Sequence, residues 1–243
     1  MAERALPEPG AVAPAERVDE LRAVLGALRA RLDRACVAAG RASGEVTLIG
    51  VTKTWPATDA QALVTLGLRE LGESRDQEAS VKAELVVGAR WHFVGALQTN
   101  KARSVATYAD VVHSVDRSAL VRALSAGAVR AGREVLVLLQ VSLDGEAGRA
   151  GAAPGDLPSL ADQVVAADGL RLGGLMAVAP RQADPAAAFA VLAEHAARLR
   201  ADHPTATTVS AGMSADLEAA VDRGATHVRV GSALLGRRPP PGG

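Results

Sequence analysis

The hydrophobic positions near the start of the chain repeat every three or four residues, which is the spacing of one face of an α-helix. The stripe comprises Val18, Leu21, Leu25, Leu28, Leu32 and Cys36. It predicts one long amphipathic helix that ends at Gly40. We interpret Cys36, the single cysteine of the chain, as a small packed apolar group. A lone cysteine also excludes an internal disulfide framework and a zinc site built from paired cysteines.

Beyond this helix, short apolar runs alternate with helical stretches. The runs lie at 46–52, 68–72, 91–95, 111–115, 135–143, 172–178, 207–211 and 227–235, and the helical stretches include 58–66, 75–87, 117–131, 156–167, 184–200 and 214–223. Eight strands separated by helices predict an α/β fold with a parallel sheet, and the chain length is close to that of a TIM-type (β/α)8 barrel. An open, doubly wound sheet is the alternative, because periodicity does not show whether the eighth strand meets the first.

The same pattern predicts a single domain. Residues 15–237 form the barrel, with the extra N-terminal helix capping or flanking it. Residues 1–14 carry three prolines and are interpreted as a flexible N-terminal tail. Residues 238–243 are interpreted as a flexible C-terminal tail, because the proline-rich and glycine-rich end of the chain cannot continue regular structure.

Composition narrows the range of partners. Hydrophobic residues make up 49% of the chain and aromatic residues only 2%, so the core must be aliphatic, as in parallel sheets. The 27 basic and 27 acidic residues balance without a block of like charge, which argues against a nucleic-acid or membrane partner. The absence of a signal-peptide pattern predicts a cytoplasmic protein, and the scarcity of aromatic residues favours a monomer. The histidines lack metal-ligand spacing, so no metal is predicted.

In a barrel of this type, functional residues follow the carboxyl ends of the strands. The loops after the seventh and eighth strands usually bind phosphate, and here they contain Gly212, Ser214, Gly231 and Ser232. Glycines let backbone N–H groups approach an anion, and the helix predicted after Ser214 would add further donors. The alternative is that the glycines serve packing and Ser214 only caps a helix. Acidic residues at 216 and 218 would compete with a phosphate there.

Lys53 ends the first apolar run. A lysine at a strand end is most often solvated. Here an apolar strand precedes Lys53, Trp55 and Pro56 follow it, and a candidate phosphate site lies across the barrel mouth. Such a setting can desolvate the amine, lower its pKa and favour Schiff-base chemistry. His92, between two aromatic residues in the third run, is interpreted as a core or supporting histidine. The glycine-rich tract 146–151 is too short for a nucleotide P-loop.

Several segments together resemble the pyridoxal phosphate homeostasis proteins, which are similar to the barrel half of alanine racemase. They span most of the chain in order: 51–56 (VTKTWP), 72–78 (GESRDQE), 91–101 (WHFVGALQTNK), 113–116 (HSVD), 140–146 (QVSLDGE), 174–176 (GLM), 210–216 (SAGMSAD) and 228–233 (VRVGSA). Four residues depart from the family pattern: Ser74-Arg75 replaces Asn-Tyr, Ala96 replaces proline and Arg149 replaces lysine.

The resemblance implies that the cofactor is pyridoxal 5′-phosphate (PLP), held as an internal aldimine on Lys53. It implies that Ser214, Gly231 and Ser232 hold the phosphate and that Arg229 faces the pyridine nitrogen. Ser74, in the place of the family asparagine, and Met213 complete the implied cofactor-binding set.

The implied role of Arg229 discourages carbanion chemistry, because arginine can only donate to the ring nitrogen and leaves it a poor electron sink. Alanine racemase also uses a tyrosine from a separate C-terminal β-domain as a second acid/base. This sequence shows no such domain, and its only tyrosine, Tyr108, lies between the third and fourth strands. We therefore expect a carrier that acts in intracellular PLP homeostasis and passes PLP to apo-enzymes. The alternatives are a slow amino-acid racemase or transaminating side activity, and a barrel that binds an unrelated phosphorylated metabolite.

Overall fold

The computed structural model describes residues 12–144 and 150–236. Within those ranges, eight parallel strands close into a barrel in chain order. The strands are β1 (Thr47–Val51), β2 (Glu70–Glu73), β3 (Arg90–Phe93), β4 (Val111–Val115), β5 (Val135–Gln140), β6 (Leu170–Met176), β7 (Thr208–Ser210) and β8 (His227–Val230). The first strand pairs with the eighth from Thr47↔His227 to Gly50↔Val230. The predicted barrel is confirmed, and the open-sheet alternative is wrong.

Helices surround this barrel. In the described part of the chain they are α1 (Ala15–Ala38), α2 (Ala57–Thr65), α3 (Asp76–Leu85), α4 (Ala102–Tyr108), α5 (Ser118–Ala131), α6 (Leu157–Val165), α7 (Pro185–Asp202), α8 (Leu217–Asp222) and α9 (Ser232–Leu235). The long N-terminal helix is confirmed as α1, which flanks the barrel against α2, α8 and α9. Its apolar stripe is buried from Leu21 to Cys36, whose thiol is free, while Val18 is partly buried.

Two predicted elements need correction. The run 227–235 is not one strand, because β8 ends at Val230 and Ser232–Leu235 is a single turn of helix. Leu234 and Leu235 prolong the apolar run because they pack under α1, not because they continue the sheet. The helix predicted from residue 214 begins only at Leu217. Residues 1–11 of the predicted N-terminal tail, the whole predicted C-terminal tail at 238–243 and tract residues 146–149 lie outside the described residues.

The core is aliphatic, as the composition predicts, and it includes a close contact between β6 and β7. Gly174 has φ +144°, and a Cβ there would lie 2.0 Å from the carbonyl oxygen of Thr208. Only glycine accommodates that approach. Within the described ranges, no helix combines the length and the apolar character needed to cross a bilayer.

Candidate cofactor site at the carboxyl end of the barrel

The structure brings the sequence-predicted residues to one rim of the barrel. Because all strands are parallel, their carboxyl ends share one face. The loop after β1 carries Lys53, and its neighbours in the barrel are the loops after β2 and β8. Ser74 follows β2, Gly231 and Ser232 follow β8, and Met213 and Ser214 follow β7, the next strand around.

Lys53 lies half-buried in a constrained turn. Thr54, the next residue, has φ +72°, in the left-handed region that non-glycine residues rarely adopt. Its N–H donates to Oε1 of Glu78 at 2.5 Å, and the N–H of Trp55 donates to the carbonyl of Thr52 at 3.0 Å. These bonds fix the backbone on both sides of Lys53.

A buried ionic cluster lies beneath this turn. The Lys82 ammonium donates to the carbonyl of Thr52 at 2.7 Å, to Oε1 of Glu73 at 2.6 Å and to Oε1 of Glu78 at 2.8 Å. Burial raises the pKa of Glu73, although Lys82 and the hydroxyl of Thr52 act in the opposite direction. Lys82 is not among the sequence-predicted residues, since a lysine in a helix ordinarily faces solvent.

Two polar atoms beside Lys53 have no hydrogen-bond partner in the described structure: Oγ1 of Thr54 and Oε2 of Glu73. Both are buried, and unsatisfied buried polar atoms are uncommon in folded proteins. They mark the floor of the rim next to Lys53 as a place with hydrogen-bonding capacity left for a bound molecule.

The loop after β7 is held by its own acidic residue. Asp216, not Ser214, is the N-cap residue of α8, and its Oδ1 accepts from the N–H of Met213 at 2.6 Å. The Ser214 capping alternative is therefore wrong. Glu218 does not compete freely for an anion, since Arg31 from α1 pairs with it at 2.6 Å. Arg31 also donates to the carbonyl of Ser214 at 3.0 Å.

Helix α1 is thus tied to this rim although it lies outside the barrel. Besides the contacts of Arg31, Arg17 pairs with Asp59 of α2 at 2.8 Å and donates to the carbonyl of Leu235 in α9 at 3.1 Å. Sequence periodicity places these arginines on the polar side of the helix but does not show what they contact.

The loop after β8 approaches β1 closely. A Cβ on Gly231 would lie 3.2 Å from the carbonyl oxygen of Val51, so the absence of a side chain lets the two strand ends converge beside Lys53. Ser232 is exposed and opens α9. The first N–H groups of a helix lack intrahelical acceptors and can donate outward.

Arg229 supplies a buried positive charge at the base of the site. Its guanidinium donates to Oγ of Ser210 at 2.6 Å and to the carbonyl of Ala177 at 3.0 Å. Burial lowers the pKa of Arg229 to about 10, and the charge of Asp216 acts in the opposite direction. Arg229 therefore remains protonated at neutral pH and can only donate hydrogen bonds.

Tyr108 is engaged through its hydroxyl by the first residue of α3. It ends α4 in the outer layer, and its hydroxyl donates to Oδ1 of Asp76 at 3.3 Å. Burial, together with the charge of Asp76, raises its pKa well above the usual range. Across residues 12–144 and 150–236, no group of three or more histidine, cysteine or acidic side chains could hold a metal ion.

The donors at the rim fit a phosphorylated aromatic aldehyde. Hydroxyl and backbone N–H groups at Ser214, Gly231 and Ser232 suit a phosphate. Arg229 suits an unprotonated ring nitrogen, and the amine of Lys53 suits an aldehyde. These are the three functional groups that distinguish PLP.

Comparison with known proteins gives the same assignment. Residues 24–239 match the family model described as alanine racemase, N-terminal domain. A pyridoxal phosphate homeostasis protein of Mycobacterium tuberculosis is 46% identical over 244 residues, covering 92% of this chain and 95% of that protein. The protein of that description in Escherichia coli is 36% identical over 222 residues, covering 88% of this chain and 95% of that protein.

Solved structures agree in fold. PipY of Synechococcus elongatus, solved with PLP bound, has a TM-score of 0.78 and 36% identity, covering 89% of this chain and all of that one (100%). An alanine racemase of Clostridium difficile has a TM-score of 0.72 at 14% identity, covering 92% of this chain and 58% of that one, which shows a shared fold alone. The chain belongs to the pyridoxal phosphate homeostasis protein family, built on the alanine racemase barrel.

Proposed function

We propose that this protein binds PLP at the carboxyl rim of its barrel, through a Schiff base with Lys53, and acts as a carrier in PLP homeostasis. The observation that carries the proposal is the buried, protonated guanidinium of Arg229 on the strand adjacent to the Lys53 strand. The 36% identity to PipY, a protein solved with PLP bound, supports the same reading.

Each residue at the rim has a task in this proposal. The amine of Lys53 would hold the cofactor aldehyde as a Schiff base, with water as the leaving group. Ser214, Gly231 and Ser232 bind the phosphate, while Arg229 donates to the ring nitrogen. Ser74 and Met213 border the cofactor from the neighbouring loops. When bound, PLP supplies the capacity to withdraw electrons from an amine attached to it, and Arg229 limits that capacity by leaving the ring nitrogen unprotonated.

The carrier role is supported by the engagement of the chain's tyrosine. The chain's single tyrosine, a natural second acid/base, is engaged with Asp76 in the outer layer. We therefore propose transfer of PLP to apo-enzymes in the cytoplasm by a monomer, rather than racemisation. Light scattering of the purified protein tests the monomer.

The test of PLP attachment is a spectrum of the PLP-loaded protein before and after borohydride reduction, followed by peptide mapping. We expect a Schiff-base absorption band and a reduced label on the peptide that contains Lys53. Lys53→Arg, which keeps the charge but cannot form the bond, should abolish both. Lys101→Arg is the matched control, since Lys101 follows β3 at the same end of the barrel.

A label elsewhere, or a band that survives in Lys53→Arg, would contradict the attachment site. The carrier role is tested separately, by mixing PLP-loaded protein with an apo-enzyme and following recovery of its activity. Sustained interconversion of L- and D-alanine by the loaded protein would overturn the carrier role and favour the racemase alternative.

A further inference from the structure

A row of hydrogen bonds crosses the interior of the barrel from Arg229 to Glu70. Each link joins side chains from different strands. The links are Arg229 Nη1 to Ser210 Oγ at 2.6 Å, Ser210 Oγ to His113 Nδ1 at 3.0 Å, His113 Nε2 to His92 Nδ1 at 2.8 Å, and His92 Nε2 to Glu70 Oε2 at 2.5 Å.

The row connects the two ends of the barrel. Arg229, Ser210, His113 and His92 are all buried. Glu70 begins β2, at the end opposite the cofactor rim, and its side chain is partly exposed in a cleft of about 420 Å³. Hydrogen bonds therefore link a change in protonation near Glu70, at the far end of the barrel, to the guanidinium of Arg229 at the site.

When both imidazoles are neutral, the carboxylate of Glu70 fixes the direction of every proton in the row. The carboxylate can only accept, so Nε2–H of His92 donates to it and Nδ1 of His92 accepts from Nε2–H of His113. Nδ1 of His113 is then unprotonated and accepts the hydroxyl hydrogen of Ser210, whose oxygen accepts from Arg229. All the donors point away from Arg229.

The electrostatics around His113 and Glu70 are compatible with this order. Burial first, and then the charges of Arg229 and Arg90, lower the pKa of His113 well below its usual value, which keeps that imidazole neutral. Burial opposes ionisation of Glu70, but the hydrogen bond from His92 and the charge of Arg90 lower its pKa overall.

We propose that Ser210, His113, His92 and Glu70 form a proton-ordered relay that positions Arg229 as a donor to the cofactor ring nitrogen and couples it to protonation at the opposite end of the barrel. The inference rests on the proposed function, because the ring nitrogen is that of bound PLP. The four residues are positioning residues, since they act through Arg229.

Uptake of one proton reverses part of the relay. If His92 becomes doubly protonated beside Glu70, its Nδ1–H donates to His113, whose remaining proton moves to Nδ1 and points at Ser210. Ser210 then receives two N–H donors and loses the acceptor for its own hydrogen. The charged or titratable groups that face the two imidazoles are Glu70, Arg90, His227 and Arg229.

The first test needs no cofactor. In protein labelled with 15N at histidine, NMR at neutral pH should show His113 protonated at Nε2 and unprotonated at Nδ1, and lowering the pH should reverse that tautomer. A protonated Nδ1 at neutral pH would overturn the relay. This result stands whether or not PLP binds, so failure of the proposed function is distinguished from failure of the relay.

The second test follows the ring nitrogen of 15N-labelled PLP in the loaded protein. Ser210→Ala, a nearly isosteric change, should weaken PLP binding about tenfold or more, the effect of losing a hydrogen bond to a charged group. It should also move the 15N shift and remove its pH dependence. Wild-type affinity and shift in Ser210→Ala would overturn the proposal.

Glu70, at the end of the barrel opposite the cofactor site, can be replaced without disturbing the core because its side chain is partly exposed. Glu70→Gln should change the pH dependence of the PLP 15N shift, although it lies at the opposite end of the barrel. Asp33→Asn is the matched control, because Asp33 lines the same cleft but accepts from the N–H of Gly44 at 3.1 Å, outside the relay. Equal effects from both variants would indicate a general charge effect and overturn the relay.

Discussion

Replacing Lys82 by methionine should destabilise the protein severely at neutral pH. The lysine side chain is 4% exposed, and its ammonium holds Glu73, Glu78 and the carbonyl of Thr52. Methionine keeps the apolar stem but leaves Glu73, which is 1% exposed, without its counter-charge. Removing one partner of a buried ion pair costs about 3–5 kcal/mol. That is a large share of the roughly 5–15 kcal/mol by which domains are stable.

The loss of stability in Lys82→Met should depend on pH. Burial already raises the pKa of Glu73, and removal of Lys82 raises it further. The folded state then binds a proton that the unfolded chain releases, so stability is lost as the pH rises from the ordinary glutamate pKa through the raised folded pKa. Lys82→Met should therefore be least damaging in mild acid.

Urea unfolding followed by circular dichroism, at mildly acidic and neutral pH, measures both effects. Lys101→Met is the control, since the side chain of Lys101 is only partly buried and its carboxylate partner lies 3.8 Å away, so about 0–1 kcal/mol is expected. Adding Glu73→Gln to Lys82→Met should recover about 1 kcal/mol or more. A loss below about 1 kcal/mol in Lys82→Met, or no recovery in the double variant, would refute the reasoning.

Three further outcomes are expected. Gly174→Ala should cost about 3 kcal/mol or more in thermal unfolding, because its Cβ meets the Thr208 carbonyl, whereas Gly155→Ala, with nothing within 4 Å, should change stability by about 0.5 kcal/mol or less. Arg31→Met should weaken PLP binding severalfold in calorimetry, because the loop after β7 loses its brace; unchanged affinity would contradict that role. Burial lowers the pKa of His227 to about 4, so the unfolded chain binds the proton first and stability falls as the pH drops from about 6.5 towards 4. His227→Gln should flatten that slope in urea titrations, and an unchanged slope would assign it to other groups.

Sequence was sufficient for the features that depend on order along the chain. Alternating strands and helices place Lys53 and Ser232 at strand ends, and parallel strands bring strand ends together. It was insufficient where function depends on which side chains meet. Nothing in the periodicity relates His113 to Ser210, 97 residues later, because their contact exists only once the barrel closes.

The predictions that were wrong also failed where the structure depends on contacts between distant side chains. Leu234 and Leu235 are apolar for burial under α1, and a run of apolar residues does not distinguish a strand from a buried helical turn. Ser214 suggested a cap because serine favours that position, but α8 begins after Asp216, whose side chain makes no capping hydrogen bond to the helix.

The arginines of α1 have a consequence for how this fold can be cut and recombined. The strands of the barrel pair only with one another, so the sheet alone suggests that α1 could be removed. Yet Arg17 and Arg31 contact the segments that follow β1, β7 and β8. Removing α1 would uncover the apolar faces of α2, α8 and α9 and, under the proposed function, would also release the loop that holds the phosphate.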